Sequence, residues 1–343
     1  ITGLDLVEWQ LRVASGEALP MRQEALAITG HAVEARLYAE DPAQGFLPAT
    51  GTLEALAFPE EEGVRIDTGV EEGDTVTPFY DPMIAKVIAH APTRAEALEA
   101  LALALCDTVV AGPKTNAAFL VRLLRDQDFA AGAFDTGLID RKLDILMDAL
   151  KPSRAAVALG GLRLVERKRQ AVPRPHWATP FAGNGGFRLM PSAPLSLAVE
   201  VDGALSEIQA DWDEDGLSVS YRGTPPTFVE GGDGATLVDL PDRVVVLEAG
   251  RSTTLTWPSY RIEEDVGTSD EAVSPMTGRI VEIAVAPGAQ VKKGDRLFIV
   301  EAMKMEHSVS ASRAAVIAAV HAAAGEQVNA GAVILRFEPE EDA

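Results

Sequence analysis

Lys304 is the residue of this chain whose surroundings point most directly to chemistry. It stands between Met303 and Met305, at the end of a strand-like and mostly apolar run over residues 298–302. A lysine at the tip of a tight hairpin is exposed, so its amine is open to acylation by a ligase. Flexible thioethers beside it suit a surface that contacts several partners in turn. The pattern predicts a covalently modified lysine carried on a small domain.

The sequence around Lys304 is internally duplicated. Glycines and apolar residues before the lysine recur after it at a constant spacing of 37 residues. The first set is Gly288, Val291, Gly294, Ile280, Ile283 and Leu297, and the second is Gly325, Val328, Gly331, Ile317, Val320 and Ile334. Repeated short strands with glycine turns are typical of a flattened barrel built from two similar halves. Lys304 falls between the halves, in a hairpin expected to cross the pseudo-twofold axis.

This segment resembles the biotin attachment hairpin of biotinyl carrier domains. The resemblance implies that a biotin protein ligase joins biotin to Lys304, with Met303 and Met305 flanking the cofactor. Lipoyl domains share the duplication, but they typically flank their lysine with acidic and small residues. Methionine on both sides therefore favours biotin over lipoate. Glu301 and Glu306 are expected to keep the hairpin soluble without acting as acid or base.

Composition excludes several classes of protein. The 343 residues suffice for two or three domains. The net charge of −22 argues against a nucleic-acid partner, because a phosphate backbone requires a basic surface. Apolar runs are too short for a membrane span, so no membrane association is expected. Cys106 is expected to be a buried structural thiol, and the isolated His31, His176 and His321 predict no metal site.

The first 150 residues are predicted to form an α+β unit. The predicted helices cover residues 3–16, 94–110 (capped by Thr93), 116–125 and 138–150, and the predicted strands cover 30–40, 51–58, 64–68 and a segment within 81–90. The chain opens on Ile1 already in a helical pattern and without an initiator methionine. We therefore expect it to be a piece of a longer protein.

Residues 151–265 are predicted to form a helix followed by a small antiparallel barrel. The helix covers residues 155–170, and Gly160 and Gly161 are expected to weaken it by roughly 1 kcal/mol each. Residues 171–194 are rich in Pro, Gly and Asn and indicate a linker. The predicted strands cover residues 195–201, 217–221, 227–229, 236–240, 243–248 and 253–257, and a charged linker follows over 263–270.

Four further stretches extend the resemblance to the whole chain: residues 30–36, 40–48, 80–86 and 114–116. With the Lys304 segment, they make the chain similar to the α subunit of an acyl-CoA carboxylase that lacks most of its biotin carboxylase domain. The implied fold is multidomain α+β. It comprises the C-terminal subdomain of an ATP-grasp biotin carboxylase (1–150), a helix-plus-antiparallel-β-barrel domain that binds the carboxyltransferase β subunit (151–265), and an all-β flattened-barrel biotin carboxyl carrier domain (269–340).

The resemblance also implies a ligase reaction in two steps. ATP and bicarbonate form carboxyphosphate, which carboxylates biotin, and the carrier then delivers CO2 to an acyl-CoA on the β subunit of an α/β hetero-oligomer. Arg36 matches the family's catalytic arginine, whose guanidinium stabilises the anionic form of biotin. The ATP and Mg²⁺ sites belong upstream of Ile1, so this chain alone is not expected to carboxylate biotin. The implied location is the bacterial cytoplasm or, in a eukaryote, the mitochondrial matrix.

The spacing of the segments narrows the choice of carboxylase. About 120 residues separate the two outer units, too few for the catalytic domains that pyruvate and urea carboxylases insert there. Residues 4–11, 82–86 and 304–307 most resemble 3-methylcrotonyl-CoA carboxylase of leucine degradation. Propionyl-CoA, acetyl-CoA and geranyl-CoA carboxylases remain alternatives. A non-catalytic biotinyl carrier or scaffold is the alternative of another class, and Arg36 argues against it because a core does not require that residue.

Overall fold

The computed structural model describes residues 1–148, 151–171, 194–213, 216–224, 227–228, 234–258, 270–302 and 305–338. The chain forms two compact units. The first unit comprises Ile1–Tyr38, Leu53–Asp74 and Met83–Trp257, and the second comprises Ala39–Thr52, Thr75–Pro82 and Pro258–Ala343. In the described part of the chain, no helix combines the length and the apolarity required to span a membrane.

The N-terminal region mixes helices with short strands. Its helices are α1 (Leu6–Ala14), α2 (Arg94–Asp107), α3 (Ala117–Leu124), α4 (Gln127–Ala131) and α5 (Leu138–Asp148), and its strands are β1 (His31–Tyr38), β2 (Glu40–Asp41), β3 (Leu47–Pro48), β4 (Gly51–Thr52), β5 (Ala55–Ala57), β6 (Val64–Thr68), β7 (Thr75–Val76), β8 (Met83–Ala91) and β9 (Val109–Ala111). Thr93 caps α2, as predicted, and the structure adds a capping box in which Glu96 bonds back to Thr93. The predicted end of this helix at residue 110 is wrong, because β9 pairs with β5 instead.

A three-stranded antiparallel sheet in the order β1-β8-β6 lies in the first unit. One face of β1 buries Ala35 and Leu37, and Ala35 packs in a core with Val87 of β8 and Leu101 of α2. Because alternate residues of a strand point to opposite faces, the residues between them are directed to the other side of the sheet. This alternation decides which side chains of β1 are available for chemistry.

The middle region pairs one helix with one sheet. It contains α6 (Arg154–Ala171) and the strands β10 (Leu195–Val201), β11 (Ala204–Asp213), β12 (Gly216–Ser220), β13 (Thr227–Phe228), β14 (Ala235–Asp239), β15 (Arg243–Glu248) and β16 (Arg251–Thr256). The sheet is antiparallel in the order β13-β12-β11-β10-β16-β15-β14. Strands from both halves of the sheet pack against α6, so the sheet curves around the helix.

The sequence reasoning did not identify β11. The sequence contains a signal for it, the Asp202-Gly203 pair, which joins β10 to β11. In the structure the φ angles of these residues are positive, at 49° and 82°. An Asp-Gly pair between two apolar runs is a strong hairpin signal, since a tight turn of this kind requires positive φ at both residues.

The N-terminal and middle regions share part of a core within the first unit. Ala111 of β9 packs with Leu240, Val245 and Leu247 of the middle region. Arg243 also forms an ion pair with Glu54. The predicted domain boundary near residue 150 therefore divides two segments that pack together, and it stays a prediction.

Gly160 and Gly161 allow α6 to approach the sheet closely. A Cβ atom on Gly160 would overlap Leu255 and lie 2.9 Å from Val246 Cγ2. A Cβ atom on Gly161 would lie 2.7 Å from Ile208 Cδ1. The expected loss of helix propensity is therefore offset by contacts that only glycine permits.

We expect Gly160→Ala to destabilise the protein, although alanine is the better helix former. The gain in propensity is about 1 kcal/mol, whereas overpacking a core typically costs about 1–3 kcal/mol. A net loss of about 1 kcal/mol should appear in the free energy of unfolding measured by urea titration. The matched control is Gly69→Ala, whose added Cβ meets no atom within 4 Å. Equal effects of the two substitutions would contradict the packing role.

The regular elements among the described residues of the C-terminal region are strands. They are β17 (Glu271–Val273), β18 (Gly278–Ile283), β19 (Gln290–Val291), β20 (Arg296–Ala302), β21 (Met305–Ser310), β22 (Ala315–Val320), β23 (Gln327–Val328) and β24 (Val333–Phe337). They form two four-stranded sheets in the orders β17-β24-β22-β19 and β21-β20-β18-β23. Apolar residues of both sheets, including Ile280, Val300, Ile317 and Leu335, share one core.

The predicted duplication is confirmed by this topology. Adding 37 to the residue numbers of β18, β19 and β20 gives the positions of β22, β23 and β24. The same shift relates the strand order of one sheet to that of the other. Hydrogen bonds repeat in the same way. The Gly288 N–H donates to the Ile317 carbonyl at 2.7 Å, and the Gly325 N–H donates to the Ile280 carbonyl at 2.7 Å.

The expectation that the hairpin crosses the pseudo-twofold axis is wrong. The shift relates the Ile299–Ser308 pair of β20 and β21 to the Arg336–Glu271 pair of β24 and β17. The equivalent of the hairpin is therefore the pair of strands at which this region begins and ends. A feature on the axis would instead be its own equivalent.

Candidate functional site

The strands on either side of Lys304 form a tightly registered hairpin in the second unit. Ala302 of β20 pairs with Met305 of β21, so two residues, Met303 and Lys304, separate the strands in sequence. Phe298 and Val300 of β20 are completely buried. A slip of one residue would expose both, so the core fixes the register. Met303, Lys304 and the Met305 side chain lie outside the described residues, and their predicted roles stay predictions.

Negative charges near this hairpin are partly compensated across the sheet. Glu301 pairs with Glu306 of β21 on one side and with Arg279 of β18 on the other. Arg279 Nη2 donates a hydrogen bond of 3.0 Å to Glu301 Oε2. Like charges opposite each other destabilise a strand pair, and a neighbouring cation reduces that repulsion.

Arg36 lies on the solvent face of β1 in the first unit. Its side chain is 64% exposed, in contrast to the buried Ala35 and Leu37 on either side. In the register of the sheet, Arg36 lies opposite Lys86, and Lys86 lies opposite Asp67. This row presents an accessible guanidinium, as a residue that contacts a substrate requires.

The shortest ion pairs on this face of the sheet converge on Asp67. Arg65 donates two hydrogen bonds of 2.7 and 3.1 Å to Asp67, and Lys86 Nζ lies 3.2 Å from the same carboxylate. These contacts, led by the Arg65 hydrogen bond, lower the pKa of Asp67. Arg36 Nε lies 3.6 Å from Glu34. The Tyr38 side chain, followed by Glu34, raises the pKa of Arg36, so the guanidinium stays charged.

Asn116 is a polar residue near this site to which the sequence reasoning gave no role. It belongs to one of the stretches that carry the resemblance, directly before α3. Its side chain is bonded to the β1 backbone at Arg36 and Tyr38, 78 to 80 residues away in sequence. No local pattern encodes contacts at that separation.

Two other residues have environments of chemical interest. Cys106 is half-buried, and burial raises the pKa of its thiol, which disfavours the nucleophilic thiolate. Glu40, in the second unit, is also half-buried. Burial, followed by the nearby Asp81 carboxylate, raises the pKa of Glu40 to about 6.

We expect Glu40→Gln to stabilise the protein at about pH 7.5 and to have no effect near pH 4. Because the folded-state pKa is raised, folding is penalised while Glu40 is charged. The penalty is full above about pH 6, shrinks as the pH falls below that value, and disappears below the ordinary glutamate pKa of 4.5. The gain is on the order of 1 kcal/mol after allowance for partial solvent screening. Urea titrations across this pH range measure it. The exposed Glu282→Gln is the matched control, and equal pH dependence of the two would contradict the burial argument.

Two family matches cover the regions that contain these features. Residues 34–141 match the biotin carboxylase C-terminal domain, and residues 270–337 match the biotin-requiring enzyme domain. The first includes Arg36 and Asn116, and the second includes the hairpin of β20 and β21.

Curated relatives align along nearly the whole chain. Mitochondrial methylcrotonoyl-CoA carboxylase subunit alpha of Rattus norvegicus is 34% identical, covering 99% of this chain and 52% of the relative. Mitochondrial propionyl-CoA carboxylase alpha chain of Mus musculus is 31% identical, covering 98% of this chain and 50% of the relative. The chain thus spans about half the length of the curated relatives it matches. Among solved structures, the biotin carboxylase subunit of a pyruvate carboxylase is 38% identical over 43% of this chain and 32% of its own, with a TM-score of 0.42.

Proposed function

We propose that Lys304 carries the biotin of a biotin-dependent acyl-CoA carboxylase. The premise is that this chain belongs to the family of the α subunits of such enzymes. The observation that supports this most directly is the pairing of Ala302 with Met305, which leaves Met303 and Lys304 as the sequence between two registered strands. Lys304 fits biotin, because the attachment requires one lysine amine, which forms an amide with the biotin carboxyl group. Biotin supplies a ureido nitrogen that accepts and releases a carboxyl group.

Arg36 is the proposed catalytic residue of the first unit. Its guanidinium is exposed and permanently charged, so it is suited to stabilise negative charge that develops on a substrate oxygen. A planar guanidinium also orients such an oxygen through two parallel donors, which a lysine cannot do. ATP and Mg²⁺ are the further cofactors of the proposed reaction.

The proposed acyl-CoA is 3-methylcrotonyl-CoA, bound on a carboxyltransferase β subunit in an α/β hetero-oligomer. The methylcrotonoyl relatives support this choice, since the rat protein is 34% identical and the mouse propionyl-CoA relative is 31% identical. The reaction would place the protein in leucine degradation. The middle region, with its helix enclosed by a curved sheet, is the proposed docking domain for the β subunit.

A direct test supplies the full-length biotinylated subunit and its β subunit with ATP, labelled bicarbonate and one acyl-CoA at a time. We expect the highest kcat/KM with 3-methylcrotonyl-CoA among the methylcrotonyl, propionyl, acetyl and geranyl thioesters. A higher value with another thioester would reassign the substrate. Incorporation with none of them, despite full biotinylation, would favour the carrier or scaffold alternative.

A further inference from the structure

Asn116 occupies the free edge of β1 beside Arg36. β1 is the outer strand of the β1-β8-β6 sheet, so one of its edges lacks a neighbouring strand within that sheet. At this edge, Asn116 Nδ2 donates to the Arg36 carbonyl at 3.2 Å, and the Tyr38 N–H donates to Asn116 Oδ1 at 2.9 Å. The Asn116 backbone N–H also donates to the Tyr38 carbonyl at 3.2 Å. Asn116 is 6% exposed, so these contacts are shielded from water.

A carboxamide is the side-chain group that reproduces this pattern. It offers one acceptor and one donor in a plane, as a peptide group of an adjacent strand would. A carboxylate lacks the donor, and an aliphatic side chain lacks both groups and would leave buried backbone atoms unpaired. The side chain of Asn116 thus substitutes for a missing strand across residues 36–38.

The hydrogen bonds of Asn116 lie where the pairing of β1 with β8 is irregular. The register between β1 and β8 shifts between Leu37 and Tyr38. Such irregularities bend a strand and redirect its side chains. The exposed Arg36 guanidinium is contacted by the side chain of Tyr38 and, at 3.6 Å, by that of Glu34. Both of these partners belong to β1 itself. The direction of the Arg36 side chain therefore depends on how its backbone is held.

We propose that Asn116 is the positioning residue for Arg36, fixing the β1 backbone on both sides of Leu37 so that the guanidinium meets the reacting group in one orientation. The inference rests on the proposed catalytic role of Arg36. It assigns a function to a buried asparagine that contacts no substrate. Small errors in the placement of a catalytic group reduce turnover strongly. Loss of the hydrogen bonds between Asn116 and the β1 backbone should therefore lower kcat measurably.

The test is a double-mutant cycle on biotin carboxylation by the full-length subunit. We expect Asn116→Ala to lower kcat about 10- to 100-fold with less than about a twofold change in the KM for biotin. In the Arg36→Ala background the same substitution should change kcat by less than about twofold, since nothing remains to be positioned. Thr115→Ala, at the adjacent position, is the matched control and should leave kcat unchanged.

Two kinetic outcomes overturn the proposal. The first is an unchanged kcat for Asn116→Ala, and the second is an equal loss of kcat in both backgrounds, which would mark a merely structural role. Full activity of Arg36→Ala would instead remove the proposed function of Arg36, so the two failures are distinguishable. If Asn116→Ala does not fold, Asn116→Asp completes the cycle, because it keeps the acceptor for Tyr38 and loses the donor to Arg36.

Hydrogen exchange in this chain tests the hydrogen bonds between Asn116 and the β1 backbone directly. The Tyr38 amide should exchange faster in Asn116→Ala and stay protected in Asn116→Asp, and unchanged exchange in Asn116→Ala would contradict it.

Discussion

Lys304→Arg should abolish biotinylation of the chain while leaving its fold intact. Arginine keeps the positive charge, but its guanidinium is a far poorer nucleophile than an amine, so the ligase cannot acylate it. Co-expression with a biotin protein ligase, followed by intact mass and peptide mapping, should show one biotinyl group on the wild type and none on the variant. Acyl-CoA carboxylation by the full-length enzyme should fall to the level without enzyme.

Lys293→Arg is the matched control, because Lys293 is an exposed lysine of the same region. It should be labelled as fully as the wild type. Lipoylation of Lys304 would identify the alternative carrier type. Label retained by Lys304→Arg at another lysine would refute the assignment of the site.

Arg36→Ala should reduce biotin carboxylation about 10²- to 10³-fold in kcat, the effect expected when a preorganised donor to a developing anion is removed. Arg36→Lys should recover only part of the loss, because an ammonium restores the charge without the planar pair of donors. Measurements on the full-length subunit with free biotin isolate this step from transfer to the acyl-CoA. Labelling of Lys304 should be unchanged in both variants.

The control for this experiment is Arg125→Ala. Arg125 is a partly exposed arginine of the same region, and it pairs with Glu99 at 3.2 Å. Its removal changes the net charge as Arg36→Ala does, so a similar loss in both variants would indicate a nonspecific effect of charge. Full activity of Arg36→Ala would leave the sheet face without a catalytic role.

Features encoded by neighbouring residues were the predictable ones. The glycine pattern that repeats after 37 residues predicted two related sheets. Each glycine supplies a positive φ in a turn, as Gly288 and Gly325 do in the structure. Thr93 likewise identified the start of α2, because threonine is a preferred residue directly before a helix. The helix of the middle region was also located within one residue at each end, at Arg154–Ala171.

Features that depend on distant contacts were not predictable in this way. Gly160 appeared only as a poor helix former, because its contact with Leu255 arises from the folded sheet. Asn116 carried no sign that its amide would bond to Arg36 and Tyr38. The raised pKa of Glu40 requires both burial and the proximity of Asp81. Each of these contacts joins residues dozens of positions apart, where spacing in the sequence holds no information.

The duplicated barrel also determines where the hairpin lies relative to the ends of its region. The hairpin of β20 and β21 belongs to one sheet, and the strands that begin and end the region, β17 and β24, belong to the other. Stacked sheets lie about 10 Å apart, so the hairpin and the strands that begin and end the region are offset by about that distance. Under the proposed function, a rotation of the region about those strands would move the biotin of Lys304 along an arc. Such a movement requires no change in the length of a tether.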